Sequence, residues 1–123
     1  MVFIVDDDAS VRRALQRLIR AAGYEVEAFA NADAYLSAAA PKPGLSCLVL
    51  DIRMPGMSGL DLQRTLTATG RQLPIVFITG HGDDDARQQG LAAGAVDVLY
   101  KPLDERVLLD AIERALGRAP VSH

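Results

Sequence analysis

The chain has 123 residues, half of them hydrophobic and 24% charged, a balance that suits one globular domain and excludes a disordered segment. A net charge of −3 argues against nucleic-acid binding by this domain, no apolar run reaches the length of a membrane span, and the acidic start is too short for a signal peptide. The single cysteine, Cys47, excludes an internal disulfide and suits a reducing, cytoplasmic setting.

The first apolar run, Val2–Val5, leads into three acids, Asp6, Asp7 and Asp8, with Asp8 placed to cap a helix. In that helix Val11, Ala14, Leu15, Leu18, Ile19 and Ala22 recur at helical spacing, while Arg12, Arg13, Gln16, Arg17 and Arg20 form a solvated opposite face. Gly23 closes it, a second strand run covers 25–29, and Asn31 is the N-cap signal for the next helix. The third run, 47–50, holds Cys47 as a small buried apolar residue and delivers Asp51. Ser58 with Asp61 resembles a capping box. A fourth run, 74–78, delivers Thr79, with His81 in the loop beyond it as an exposed residue or a border to the path of a hydrolytic water. Asp83 is a candidate N-cap for a helix over 84–93. Gly90, the following Gly94 and a mostly alanine face leave that helix weakly held, so it is the element expected to move. The fifth run, 96–100, delivers Lys101, and Asp104 caps a last helix whose apolar face is Leu108, Ala111, Ile112, Ala115 and Leu116. Residues 1–118 read as one domain, and 119–123 as a tail or the start of a linker.

Strand followed by helix five times over predicts an α/β fold: a doubly wound, five-stranded parallel sheet of flavodoxin-like (βα)5 type with helices on both faces. Such sheets bind ligands beyond the carboxyl ends of their strands, where the strand order reverses. The polar residues fall at those ends, and in the order 2-1-3-4-5 the acids, the Thr79 hydroxyl and the Lys101 amine would gather around Asp51. Clustered carboxylates repel one another unless a cation joins them, and hard oxygen ligands select Mg²⁺. A central ionised carboxylate has no proton to lose and can attack phosphorus directly, while Mg²⁺, an ammonium and a hydroxyl share the charge on the equatorial oxygens.

The motifs Val5-Asp6-Asp7-Asp8, Asp51-Ile52-Arg53-Met54-Pro55-Gly56-Met57-Ser58-Gly59, Thr79-Gly80 and Lys101-Pro102 together resemble the receiver domain of two-component response regulators, over Val2 to about Leu116. The segments Thr79-Gly80-His81-Gly82-Asp83 and Ala93-Gly94-Ala95-Val96-Asp97 are most similar to the FixJ-type subgroup. The resemblance implies a CheY-like fold and Asp51 as the phosphoacceptor. It implies Asp6, Asp7, Asp51 and the Arg53 backbone carbonyl as the Mg²⁺ set, with Asp6 acting through water. Thr79 and Lys101 carry over as phosphoryl ligands, and the Lys101–Pro102 bond as cis. The implied partners are a sensor histidine kinase, with the first helix as a docking surface, and a second copy of the chain after phosphorylation. That second copy would meet the face formed by the fourth helix, fifth strand and fifth helix.

Two other readings share parts of this pattern. Aspartyl-phosphate phosphohydrolases use a strand-end Asp nucleophile but place a second Asp two residues on, where this chain has Arg53. A flavin carrier would use the same sheet order, yet the Asp-rich first turn would repel a flavin phosphate. One departure from similar receivers stands out: three positions before the strand-5 lysine they usually carry an aromatic residue, and here the residue is Val98.

Overall fold

The computed structural model describes residues 1–38, 46–71, 73–80 and 82–118. The expectations for His81 and for the 119–123 tail lie outside the described residues. Five strands alternate with five helices: β1 (Val2–Val5), α1 (Ala9–Ala21), β2 (Val26–Phe29), α2 (Ala32–Ala38), β3 (Cys47–Asp51), α3 (Gly59–Ala68), β4 (Ile75–Thr79), α4 (Asp84–Ala92), β5 (Asp97–Tyr100) and α5 (Glu105–Arg118). The strands form one parallel sheet, as the strand–helix alternation predicts, and its order β2-β1-β3-β4-β5 is that of the flavodoxin-like type. Among the described residues no helix is long and apolar enough to cross a membrane.

Because successive strand residues point to opposite faces, the apolar runs divide into two cores. Val2, Ile4, Cys47, Val49, Val76, Ile78 and Leu99 pack with Leu15 and Ile19 of α1 and with Leu108, Ala111, Ile112 and Ala115 of α5. Phe3, Val5, Leu48, Leu50, Ile75, Phe77 and Val98 face the other way, against Tyr35 of α2 and Leu62 and Leu66 of α3. Cys47 is fully buried, and burial pushes its thiol up to about 12, so it is an inert core residue as expected.

The helix signals hold with two exceptions. Asp8, Asn31 and Asp104 accept backbone N–H bonds at their helix starts, and Ser58 with Asp61 forms the full capping box. Asp83 occupies the N-cap position of α4 but makes no side-chain cap bond there. Ala14 and Ala22, placed on the apolar face of α1 by their spacing, are exposed, and the buried seam of that helix is the narrower pair Leu15 and Ile19.

Helix α4 is held as weakly as its composition predicts, since Gly90 is its only buried residue. Gly90 nevertheless has a packing reason. A Cβ there would lie 2.9 Å from both Cδ2 and Cε2 of Phe77, a fully buried ring on β4. The missing side chain lets the α4 backbone close onto the ring, and the buried Gln63 of α3 donates to the Gly90 carbonyl at 3.2 Å.

Gly90→Ala therefore sets a helix-propensity gain of about 1 kcal/mol against an overpacking cost of about 1–3 kcal/mol. Phe77 is fully buried, so a shift of its ring must disturb the core, and the expected outcome is a net loss of stability in urea denaturation. That loss should shrink in a Phe77→Leu background, where the clashing ring is gone; a stabilised Gly90→Ala protein would contradict this packing.

Candidate functional site

Parallel strands all end at one edge of the sheet, and five polar side chains meet there. Asp51 and Thr79 are the last residues of β3 and β4 themselves, one step earlier than residues following a strand. Asp6 and Asp7 continue from β1, and Lys101 continues from β5. β1 and β4 flank β3, so Asp51 is the centre of the group. The Lys101–Pro102 peptide is cis, as the resemblance implied.

Two close backbone arrangements set Asp51. At Gly59, the first residue of α3, a Cβ would come within 2.4 Å of the Asp51 carbonyl oxygen and 2.9 Å of the Ile52 Cα. Only glycine lets α3 start flush against the end of β3, where the Gly59 N–H donates to the Ile52 carbonyl at 2.9 Å. The intervening loop turns back so that the Arg53 N–H donates to Asp51 Oδ1 at 3.2 Å. On the β1 side, the Asp8 N–H donates to Asp6 Oδ1 at 2.9 Å, and the Arg12 guanidinium donates to the Asp6 carbonyl at 2.7 Å. Arg12 is thus not simply part of a solvated stripe: it braces the turn that carries Asp6.

Asp6 is 1% exposed and Asp51 is 3% exposed, while Asp7 is open to solvent. Each of the three offers a carboxylate oxygen within 4.8 Å of the other two. Lys101 Nζ lies 3.4 Å from Asp51 Oδ2 and 3.5 Å from Asp6 Oδ2. Asp6 and Asp51 thus share one ammonium, and its contact to the buried Asp6 Oδ2 is too long for a good hydrogen bond. Three carboxylates set against one ammonium leave negative charge in excess, and hard oxygens at this spacing fit a small divalent cation.

The electrostatics follow from this crowding. Burial, reinforced by the Asp6 charge, pushes Asp51 up to about 6, against the lowering effect of Lys101 and of the Arg53 N–H. Partial burial opposes the Lys101 ammonium, but Asp51 and Asp6 outweigh it and hold its pKa above the ordinary lysine value.

Thr79, fully buried, does not point an idle hydroxyl at the site. Its Oγ1 donates to Oδ2 of Asp83. Arg53 holds the same carboxylate, with Nε 3.0 Å from each oxygen and a terminal guanidinium nitrogen on Oδ1. Bonds from Arg53 and then Thr79 draw the Asp83 carboxyl down to about 2. Sequence reasoning placed Asp83 as a cap and missed this role. The acid four residues past Thr79 was visible, but its pairing with Arg53 crosses from the β3–α3 loop to the β4–α4 loop, and no local spacing encodes that.

Comparisons with known proteins agree with this geometry. Residues 2–113 match the family model described as the response regulator receiver domain. The chain is 47% identical over 120 residues to the response regulator protein TodT of Pseudomonas putida, covering 98% of this chain and 52% of that protein. Among solved structures, the response regulator StyR superposes with a TM-score of 0.88 at 52% identity, over 95% of this chain and 59% of that one. FixJ-N superposes with a TM-score of 0.88 at 39% identity, over 99% of this chain and 96% of that one. The chain spans about half the length of the curated relatives it matches.

The raised Asp51 pKa has a consequence for stability. From an ordinary value of 3.8 to about 6 in the fold, the folded state binds the proton more tightly than the unfolded state. Stability contributed by this group is therefore full below the lower value and falls as pH rises through the higher one. Without divalent cations, Asp51→Asn should be nearly as stable as the wild type at pH 4 and more stable by on the order of 2 kcal/mol above pH 6. Urea denaturation across that range measures the difference; a constant gap at all pH would refute the assigned cause.

Proposed function

The chain belongs to the response regulator receiver family, and on that premise we propose that Asp51 accepts a phosphoryl group from a sensor histidine kinase. The observation that carries the reading is the buried Asp51 carboxylate, with Lys101 Nζ 3.4 Å away and oxygens of Asp6 and Asp7 within 4.8 Å. Asp51 in its ionised form attacks phosphorus; the bond from phosphorus to the donor nitrogen breaks and an acyl phosphate forms. No side chain has to act as a base, because the ionised nucleophile carries no proton.

Asp6, Asp7, Asp51 and the Arg53 backbone carbonyl are the proposed Mg²⁺ set, with Asp6 reaching the ion through water. When bound, the ion neutralises charge on the transferring group and draws the Asp51 proton equilibrium towards the ionised form. Lys101 offsets the charge on a second phosphoryl oxygen, and the Thr79 hydroxyl donates to a third. Outside its own phosphotransfer and dephosphorylation the domain has no substrate, so it is a switch and not an enzyme in the ordinary sense. The surface proposed to change is that of α4, β5 and α5, since α4 has one buried residue to anchor it. A changed face there would pair with a second copy or release an output partner or domain.

Acetyl phosphate with Mg²⁺ should add one phosphoryl group, read by intact mass, and Asp51→Asn should take none. Equal labelling of the Asn variant would move the acceptor elsewhere. Calorimetry separates the metal set from the phosphoryl ligands. Asp7→Asn should weaken Mg²⁺ binding about tenfold or more, through loss of a charged ligand. Lys101→Ala should leave Mg²⁺ binding unchanged or strengthen it, by removing a competing charge 3.4 Å from Asp51 Oδ2 and 3.5 Å from Asp6 Oδ2.

A further inference from the structure

We propose that Asp83 is a positioning residue that opposes phosphoryl capture: it accepts the Thr79 hydroxyl in the resting protein, and that bond must break before Thr79 can donate to a phosphoryl oxygen. The inference rests on the reading of Asp51 as phosphoacceptor and of Thr79 as a phosphoryl ligand.

A threonine hydroxyl has one proton to donate, and both an ionised carboxylate and a phosphoryl oxygen are acceptors only. Asp83 and the phosphoryl group thus compete for one donor, and Thr79, fully buried, has no access to water as a third partner. The competing acceptor has a second partner. Arg53, itself largely exposed, reaches both Asp83 oxygens from the β3–α3 loop. The same contact keeps the Asp83 charge paired after Thr79 has gone, so release leaves no orphaned buried carboxylate.

The carboxylate is also diverted from the work its position suggests. The N-caps Asp8 and Ser58 have extended backbones, with ψ of 114° and 168°, and their side chains accept from the first turn of their helices. Asp83 has ψ of 42° and caps nothing, although α4 begins at the next residue. Its two oxygens serve Thr79 and Arg53 instead, and the start of the most weakly anchored helix is left without a side-chain cap.

The test titrates beryllofluoride, a phosphoryl mimic, into Mg²⁺-loaded wild type, Asp83→Ala, Thr79→Val and the double variant, with binding followed by calorimetry. Asp83→Ala should bind roughly tenfold tighter than wild type, the low end for a hydrogen bond to a charged group. Removing Asp83 also frees the Arg53 charge, which would attract any anion. The Thr79→Val background separates the two effects: only the Arg53 charge acts there, so the Asp83→Ala gain should be clearly smaller than in the wild-type background. Unchanged or weaker binding by Asp83→Ala overturns the proposal, as does a gain of equal size in the Val background. If the Ala variant does not fold, Asp83→Asn, which keeps the shape but loses the charge, should show a smaller gain, and no gain counts against the idea. A wild type that binds no beryllofluoride would sink the phosphoacceptor reading and this inference together. A wild type that binds with no Asp83 effect sinks the inference alone.

Discussion

Asp51 ends β3 and Asp6 follows β1, the neighbouring strand; both lie almost wholly out of water, and the Asp6 charge adds to burial in making Asp51 harder to ionise. Val5 and Leu50, the residues before them, are lateral partners in the β1–β3 register, so the sheet itself forces the two acids side by side. Asp51 cannot be ionised at low cost unless positive charge is brought to the same place. Lys101 supplies part of it, from the end of β5. Strands lie about 4.8 Å apart, so an amine attached beyond β5 must reach past β4 to β3, roughly 10 Å of sheet, and only a long stem spans that distance. Asp6 and Asp51 have to share that one ammonium, at 3.5 and 3.4 Å, and Asp7 adds a third carboxylate. The site is built around charge that the protein alone does not fully neutralise, which is the property a metal- and phosphate-dependent switch requires.

The rest of the fold divides into a part that holds this geometry and a part that is free to answer it. The α1 and α5 layer anchors the sheet through buried leucines and isoleucines, Leu15, Ile19, Leu108 and Ile112, all of them 4% exposed or less. On the opposite face α3 is locked to the end of β3 by Gly59 and its capping box. Helix α4 has neither device: its buried contact is a backbone at Gly90 against one ring, and its N-cap residue caps nothing. Elements with few buried apolar contacts open at the lowest free energy, and the helix beside the site is the one with least packing to hold it.

Much of this was legible in the sequence because it is written in local patterns. The strand runs were continuous in apolar residues, the helices were amphipathic, and Asp51, Thr79 and Lys101 stood at the strand ends where parallel sheets bind ligands. Strand order, caps at Asp8, Asn31, Ser58 and Asp104, and the weakness of α4 followed from the same patterns and from the resemblance. The parts that were not legible are contacts between distant loops. Arg12 looked like one charge in a solvated stripe, yet it reaches back to the Asp6 carbonyl. Asp83 looked like a cap, yet thirty residues of chain separate it from the arginine that takes its carboxylate. Ala14 and Ala22 had the right spacing for burial, but a small side chain on the flank of a helical stripe adds too little area to close against a neighbour.

The departure at Val98 bears on how a change at Thr79 reaches α4. Similar receivers carry an aromatic side chain at this strand position, and Val98 is a small, buried, β-branched residue with a single stiff torsion. Its lateral partner on β4 is Phe77, whose ring is already committed to Gly90. No ring at position 98 is available to follow the threonine. What the chain offers instead is polar and lies at the start of α4: Asp83 takes the Thr79 hydroxyl, and the next residue, Asp84, takes the Tyr100 hydroxyl at 3.1 Å. Two successive acids thus tie the first turn of α4 to the ends of β4 and β5. Hydrogen bonds of this kind are directional and exchange partners one at a time, whereas a ring moving through a core must displace its neighbours. On the proposed reading, release of Thr79 loosens the first of these ties and leaves the second, so the helix start would pivot about Asp84 and Tyr100 while its Gly90 end stays seated on Phe77.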